Sequence, residues 1–183
     1  TIEEAKRWWR EDGSVHCKNI FMRNHKGTQH YLICFHCDHD LAIHDLEQRL
    51  KASLLAAGKT SPGKLSFASP ERMMRYLGLE PGSVSPFGLI NDEEHHVILF
   101  LDKYLQDAAS LSFHPNDCRG TVVIKREDFC RYLELVGVDL AAHLLCYEAE
   151  FLARIRLVIK RFKEVSAMLA QTYTFFIEIE FLD

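Results

Sequence analysis

No stretch of the sequence approaches the roughly 18 consecutive apolar residues of a membrane span. The N-terminus also lacks the charged and apolar regions of a secretory signal, and together these absences read as a cytosolic chain with no membrane partner. Positive charge is not in excess: 22 Lys and Arg stand against 26 Asp and Glu, a net charge of −4. No global field draws in phosphate backbones, so any nucleic acid must be gripped locally. Cysteine is sparse and irregular, six in 183 residues, which excludes a dense disulfide framework. Reduced thiols, mostly buried, are expected. No internal repeat or low-complexity tract occurs. What is present is core material: 48% hydrophobic residues, with 12 Phe, six Tyr and two Trp, in a length that fits one domain. The first residue is Thr1 and not Met, which reads as a processed or excised piece of something longer.

Thr1 to Glu4 has the form of a capping box, and Ile2, Ala5, Trp8 and Trp9 predict a short helix ending near Gly13. Lys18 to Arg23 and Gln29 to Phe35 are two β-type runs around the hairpin-like Asn24-His25-Lys26-Gly27. Both are apolar on both faces, as in a sheet covered on two sides. The Leu46, Leu50, Leu54 spacing predicts a helix from about Asp45 to Ala57, and Leu65 to Phe67 a short strand. Ser69-Pro70-Glu71 opens a helix by every local rule, with a hydroxyl cap, Pro at the first position and an acid in the first turn; Gly78 closes it. Glu80 to Asp92 reads as an ordered, partly buried loop. Val97 to Leu101 and Thr121 to Lys125 read as strands, Phe113 to Asp117 as a turn, and Glu127 to Val136 as a helix ended by Gly137. Beyond it, apolar residues from Leu140 to Met168 predict one or two long helices, and Phe176 to Phe181 a half-exposed strand.

Several groups carry ligand-type or catalytic residue types. Cys34, His36, Cys37 and His39 lie within six residues, but the second ligand pair of a structural zinc site is absent, so a strand end with incidental ligand types is preferred and zinc kept as the alternative. Gly82-Ser83-Val84-Ser85-Pro86-Phe87-Gly88 is not a nucleophile elbow, because Pro86 stops the helix an elbow needs. It reads either as a tight structural loop or as a backbone device, Gly82 allowing close approach and free N–H groups facing a carbonyl oxygen. Lys18, Asn19 and His114 each have an ordinary reading as strand-end or turn residues. The basic run Arg154 to Lys163 is explained by a solvated helix face or by RNA contact.

In the same order along the chain, Lys18-Asn19-Ile20-Phe21-Met22-Arg23, Lys64 to Arg72, Pro81 to Asp92 and Phe113-His114-Pro115-Asn116-Asp117 resemble the YbaK/ProX family, and within it the ProX type, the prolyl-tRNA synthetase-associated deacylases. The resemblance covers about residues 1–137, and 138–183 is left as a helical and strand extension packed on the same domain or on a partner. It implies an α+β fold with a curved mixed sheet flanked by helices, and a pocket between the sheet and the Gly82 to Pro86 loop. It further implies catalytic roles for Lys18, Gly82 and Pro86, and substrate contacts from Asn19, Ser83, Val84, Ser85, Phe87 and His114. Neither a metal nor another cofactor is implied. Cys17 stands where the family typically has Thr before the lysine.

The implied activity is hydrolysis of the aminoacyl ester of mischarged tRNA for proline, most readily Ala-tRNA(Pro), with the tRNA acceptor end as partner and prolyl-tRNA synthetase in cis or in trans. The need for it is physical, since a synthetase pocket discriminates against a missing methylene by only about 1–3 kcal/mol. An alternative is a catalytically weak tRNA-binding or synthetase-assembly module of the same fold.

Overall fold

The computed structural model describes residues 6–7, 11–39, 42–56, 59–138, 159–160 and 175–179. Its centre is the hairpin the two apolar runs announce. Strands β1 (Val15–Asn24) and β2 (His30–His36) pair antiparallel from Cys17↔His36 to Arg23↔His30. The turn needs a left-handed residue, supplied by Gly27 at φ 68°, whose N–H donates to Asn24 O at 3.0 Å.

Alternation divides the hairpin into two apolar faces, each covered. Met22, Tyr31, Ile33 and Phe35 pack under helix α1 (Ile43–Ala56) through Leu46, Leu50 and Leu54. Phe21, Leu32 and Cys34 form the other face, in one cluster with Met73 and Leu77 of α2 (Pro70–Leu77), with Phe87 and Leu89 of the 3-10 helix Pro86–Asn91, and with Phe129, Tyr132 and Leu133 of a later helix. The cap of α2 is the one its sequence specifies: Ser69 Oγ accepts from Arg72 N, and Gly78 closes the helix at φ 64°.

The remaining strands are β3 (Leu65–Phe67), β4 (Val97–Leu101), β5 (Ser110–Phe113), β6 (Gly120–Lys125) and β7 (Phe175–Ile179); short α3 (Lys103–Gln106) and α4 (Arg126–Leu135) complete the elements. The sheet runs β4-β2-β1-β5-β6-β7, with β3 also on β1. Pairing is mixed: β2/β4, β1/β5 and β6/β7 are parallel and the others antiparallel. This is the expected α+β mixed sheet. Through β7, the section after residue 137 adds a strand to the same sheet.

One feature of this topology prepares a site. On the edge away from β2, β1 is paired only near its ends, Val15 and His16 with β5 and Met22 to Asn24 with β3. Among the described residues, Lys18, Asn19 and Ile20 have no strand partner on that edge, which leaves a notch in the sheet.

Three expectations need correcting. The sequence reading had neither α3 nor β5; β5 has only four residues, and its position is set by pairing with β1 and β6, sequence-distant and later partners. The thiols are not mostly buried: of the described ones Cys34 and Cys37 are, Cys118 is exposed, and Cys17 and Cys130 lie between. The short helix expected between Thr1 and Gly13 and the helices expected between 140 and 168 lie mostly outside the described residues, as does most of the basic run 154–163. Among the described residues no helix is long and apolar enough to cross a membrane.

Candidate active site

The Gly82 to Pro86 loop lies over the notch, and each of its ends has a structural cause. Glu80-Pro81-Gly82-Ser83 closes a turn with Ser83 N donating to Glu80 O at 3.1 Å. Pro at the second position and Gly82 at φ 90° in the third are what a type II turn demands. A Cβ added to Gly82 would meet nothing within 4 Å, so this glycine serves backbone conformation and not the close approach expected of it. At the far end Ser85 Oγ caps the 3-10 helix by accepting from Phe87 N. Tyr132, fully buried on α4, donates its hydroxyl to Pro86 O at 3.1 Å. Phe87 is 2% exposed and meets Phe113 and Tyr132 edge-on. Phe87 therefore stiffens the loop from behind.

Two contacts join the loop to the notch and its wall. Asn19 Nδ2 donates to Val84 O at 3.1 Å, and Cys118 N donates to Ser83 Oγ at 3.1 Å. The second brings in the turn after β5, where His114 Nδ1 bonds Gly120 O at 2.8 Å. A carbonyl only accepts, so Nδ1 carries a proton, and in the imidazole form the ring's acceptor is Nε2. Asp117 clasps Arg119, its oxygens 2.9 and 2.6 Å from Nε and Nη2, and this bond holds its carboxyl below the usual carboxylate range.

Unpartnered polar groups collect here. Asn19 Oδ1 and Asn116 Oδ1 are buried without a hydrogen-bond partner. Asn116 also holds φ 60°, a left-handed conformation uncommon outside glycine. The N–H groups of Val84 and Ser85 have no partner among the described residues. A buried acceptor without a donor costs about 1–3 kcal/mol.

Lys18 stands apart from this set. It pairs with Phe35 across the hairpin, its Nζ 5.8 Å from the Phe35 ring centre, so its side chain leaves on the α1 face while Asn19 leaves on the loop face. The sequence reading had both beside the loop; the strand's period of two separates adjacent residues. They share only the notch edge of β1. Cys17, where the family typically has Thr, donates Sγ–H to Val15 O at 3.4 Å, and burial pushes its thiol up, so it stays a neutral local donor.

The four ligand-type residues also divide. His36, Cys37 and Asp38 have potential ligand atoms within 4.8 Å of one another. Asp38 is nevertheless paired with Lys6 and donates its N–H to His36 Nδ1, while His39 turns to Asp102 at 3.1 Å. Cys34 belongs to the core on the loop face. Sequence reasoning missed Tyr132 and Asn116. No local signal marks the first, while the Pro115-Asn116-Asp117 turn, with a residue type tolerant of positive φ, marked the second.

The chain is similar to known proteins in sequence and in fold. A family model described as the aminoacyl-tRNA editing domain matches residues 1–132. The chain is 38% identical over 137 residues to the prolyl-tRNA editing protein ProX of Acetoanaerobium sticklandii, covering 75% of this chain and 77% of the relative. It is 24% identical over 140 residues to prolyl-tRNA synthetase associated domain-containing protein 1 of Mus musculus, covering 76% and 78%. A crystal structure of hypothetical protein APE2540 has the same fold, with a TM-score of 0.52 at 17% identity over 75% of this chain and 79% of that one. The chain belongs to the aminoacyl-tRNA editing domain family and is by class a hydrolase of the aminoacyl ester.

Proposed function

We propose that the chain removes alanine from tRNA for proline by water attack on the aminoacyl ester. The observation that carries this reading is the divided amide of Asn19, whose nitrogen is tied to Val84 O while its oxygen is buried with nothing to accept. An α-ammonium group offers three N–H donors, and one of them satisfies that oxygen. With the amine held there, the ester carbonyl lies toward the loop, where the N–H groups of Val84 and Ser85 stabilise the oxyanion formed on attack. His114 Nε2 accepts a hydrogen bond from the attacking water. The water oxygen bonds to the carbonyl carbon as its proton passes to His114 Nε2, the bond to the ribose oxygen breaks, and that oxygen takes up the same proton. An ester is already activated, so orientation and the oxyanion site suffice without a protein nucleophile. Lys18, at the notch from the opposite face, anchors a phosphate of the terminal nucleotide.

Discrimination against proline is steric. The loop is fixed at Val84 by Asn19, at Ser83 by Cys118 and at Pro86 by Tyr132, and it rests on buried Phe87 and Leu89. A loop tied and backed in this way resists the displacement that a pyrrolidine ring would require, and a methyl group requires less of it. A deacylation panel on tRNA(Pro) charged with alanine, serine, proline and cysteine tests the reading. Alanine is expected to be released far faster than proline; comparable rates for the two would overturn it. The same panel decides whether prolyl-tRNA synthetase is required, by its addition in trans.

A further inference from the structure

The far end of the 3-10 helix meets a second hollow. Beyond Pro86–Asn91, the end of α4 and the outer strand β4 approach one another around a cavity of about 220 Å³, walled by Leu89, Val97, Leu99, Val136 and Val138. It is not part of the notch. The helix between the two is six residues long, about 12 Å, and β4 lies two strands, about 10 Å, from β1. The volume is below the roughly 300–1,000 Å³ of pockets for drug-sized ligands, too small to enclose a nucleotide and enough for one amino acid.

Three polar residues line the same cavity, Asp92, Lys59 and His95. Asp92 is 7% exposed. Its Oδ2 accepts from Val97 N at 2.6 Å, while Oδ1 has no hydrogen-bond partner among the described residues and keeps some open surface. No hydrogen bond or ion pair engages the Lys59 ammonium or the His95 ring, so Lys59 and Asp92 do not pair with each other across the space. His95 is held there against its backbone preference. Its φ is 50°, strained for a residue with a Cβ, and its ring lies against Gly137, where any side chain would collide with it.

These groups select a ligand by charge. An anion alone would face the Asp92 carboxylate and a cation alone the Lys59 ammonium, while a wholly apolar guest would leave both unpartnered. A molecule with an ammonium and a carboxylate on one carbon satisfies both. We propose that the cavity binds a free α-amino acid with an apolar side chain. Its ammonium donates to Asp92 Oδ1, its carboxylate accepts from Lys59 and from a ring N–H of His95, and its side chain lies against Val97, Leu99, Val136 and Val138. The site is separate from the notch and does not depend on the editing reading.

The test is calorimetric binding of L-leucine, of L-leucinamide, which lacks the carboxylate, and of N-acetyl-L-leucine, which lacks the ammonium. Leucine should bind the wild-type protein at least about tenfold tighter than either analogue, because each analogue loses a hydrogen bond between charged groups. Lys59→Met should weaken leucine at least about tenfold and abolish its preference over leucinamide. Asp92→Asn should abolish the preference over N-acetyl-leucine. If that variant fails to fold, Lys59→Met still decides, since its side chain is exposed and holds nothing else. Lys51→Met, the same change on exposed α1, should leave Kd as it is. Equal affinity of the wild type for the three compounds, or no saturable binding of leucine, overturns the site. Leucine binding that survives Lys59→Met but is lost in Lys18→Ala puts the amino acid in the notch and overturns it as well.

Discussion

Replacing Asn19 by Ala separates a structural asparagine from a working one, because the two predict opposite signs of stability change. The wild-type side chain makes one hydrogen bond, Nδ2 to Val84 O at 3.1 Å, and leaves Oδ1 buried without a donor. Losing the bond costs about 1 kcal/mol, whereas removing the orphaned oxygen recovers about 1–3 kcal/mol of desolvation. The sum is between neutral and about 2 kcal/mol stabilising, unusual for truncation of a partly buried polar residue. Activity should move the other way. A polar contact made at the reacting centre is worth about 2.7–4 kcal/mol, or roughly a hundred- to a thousandfold in rate. The assays are urea denaturation for the first quantity and single-turnover release of alanine from Ala-tRNA(Pro) for the second. An Asn19→Ala protein destabilised by more than about 1 kcal/mol would show the amide to be a strut for the loop. One with turnover within about threefold of wild type, less than 1 kcal/mol of barrier, would remove Asn19 from substrate binding.

Lys18→Ala should slow alanine release at least about a hundredfold with little change in melting temperature, since the contact of its Nζ with the Phe35 ring is worth about 0.5–1 kcal/mol; near wild-type turnover would strip it of the anchoring role. Gly82→Ala should cost about 1 kcal/mol or more despite the open space around it, because φ 90° strains any residue with a Cβ. A neutral effect on urea midpoint would count against the turn assignment. His30 gives a pH dependence. Burial, His96 and the neighbouring arginines hold its pKa down to about 4, so the neutral ring belongs to the fold and the proton to the unfolded chain. Stability is therefore complete above about pH 6.5 and declines as pH falls toward 4, by at most about 3 kcal/mol. Urea titrations of wild type and His30→Gln should converge over this interval; parallel curves would contradict the assignment.

The sequence by itself determined what depends on near neighbours. The hairpin at Asn24 to Gly27, the Ser69 cap and Gly78 stop of α2, and the two-faced apolar strands are all set by residues within a few positions, and each is where the pattern placed it. The motifs around Lys18, Gly82 and His114 were equally legible, because such side chains in order identify a family without any coordinates. Tertiary structure decided what depends on who lies beside whom. β5 is four residues long and becomes a strand because β1 and β6 flank it. The notch exists because β3 and β5 take opposite ends of one edge of β1 and leave Lys18 to Ile20 between them. The bond from Tyr132 to Pro86 spans 46 residues. Even the separation of Lys18 from Asn19, implicit in a strand's period of two, acquired meaning only once the loop was seen to cover one face. Local rules act through contacts of a few residues, while these pairings are chosen by burial over the whole chain, and the site was assembled by them.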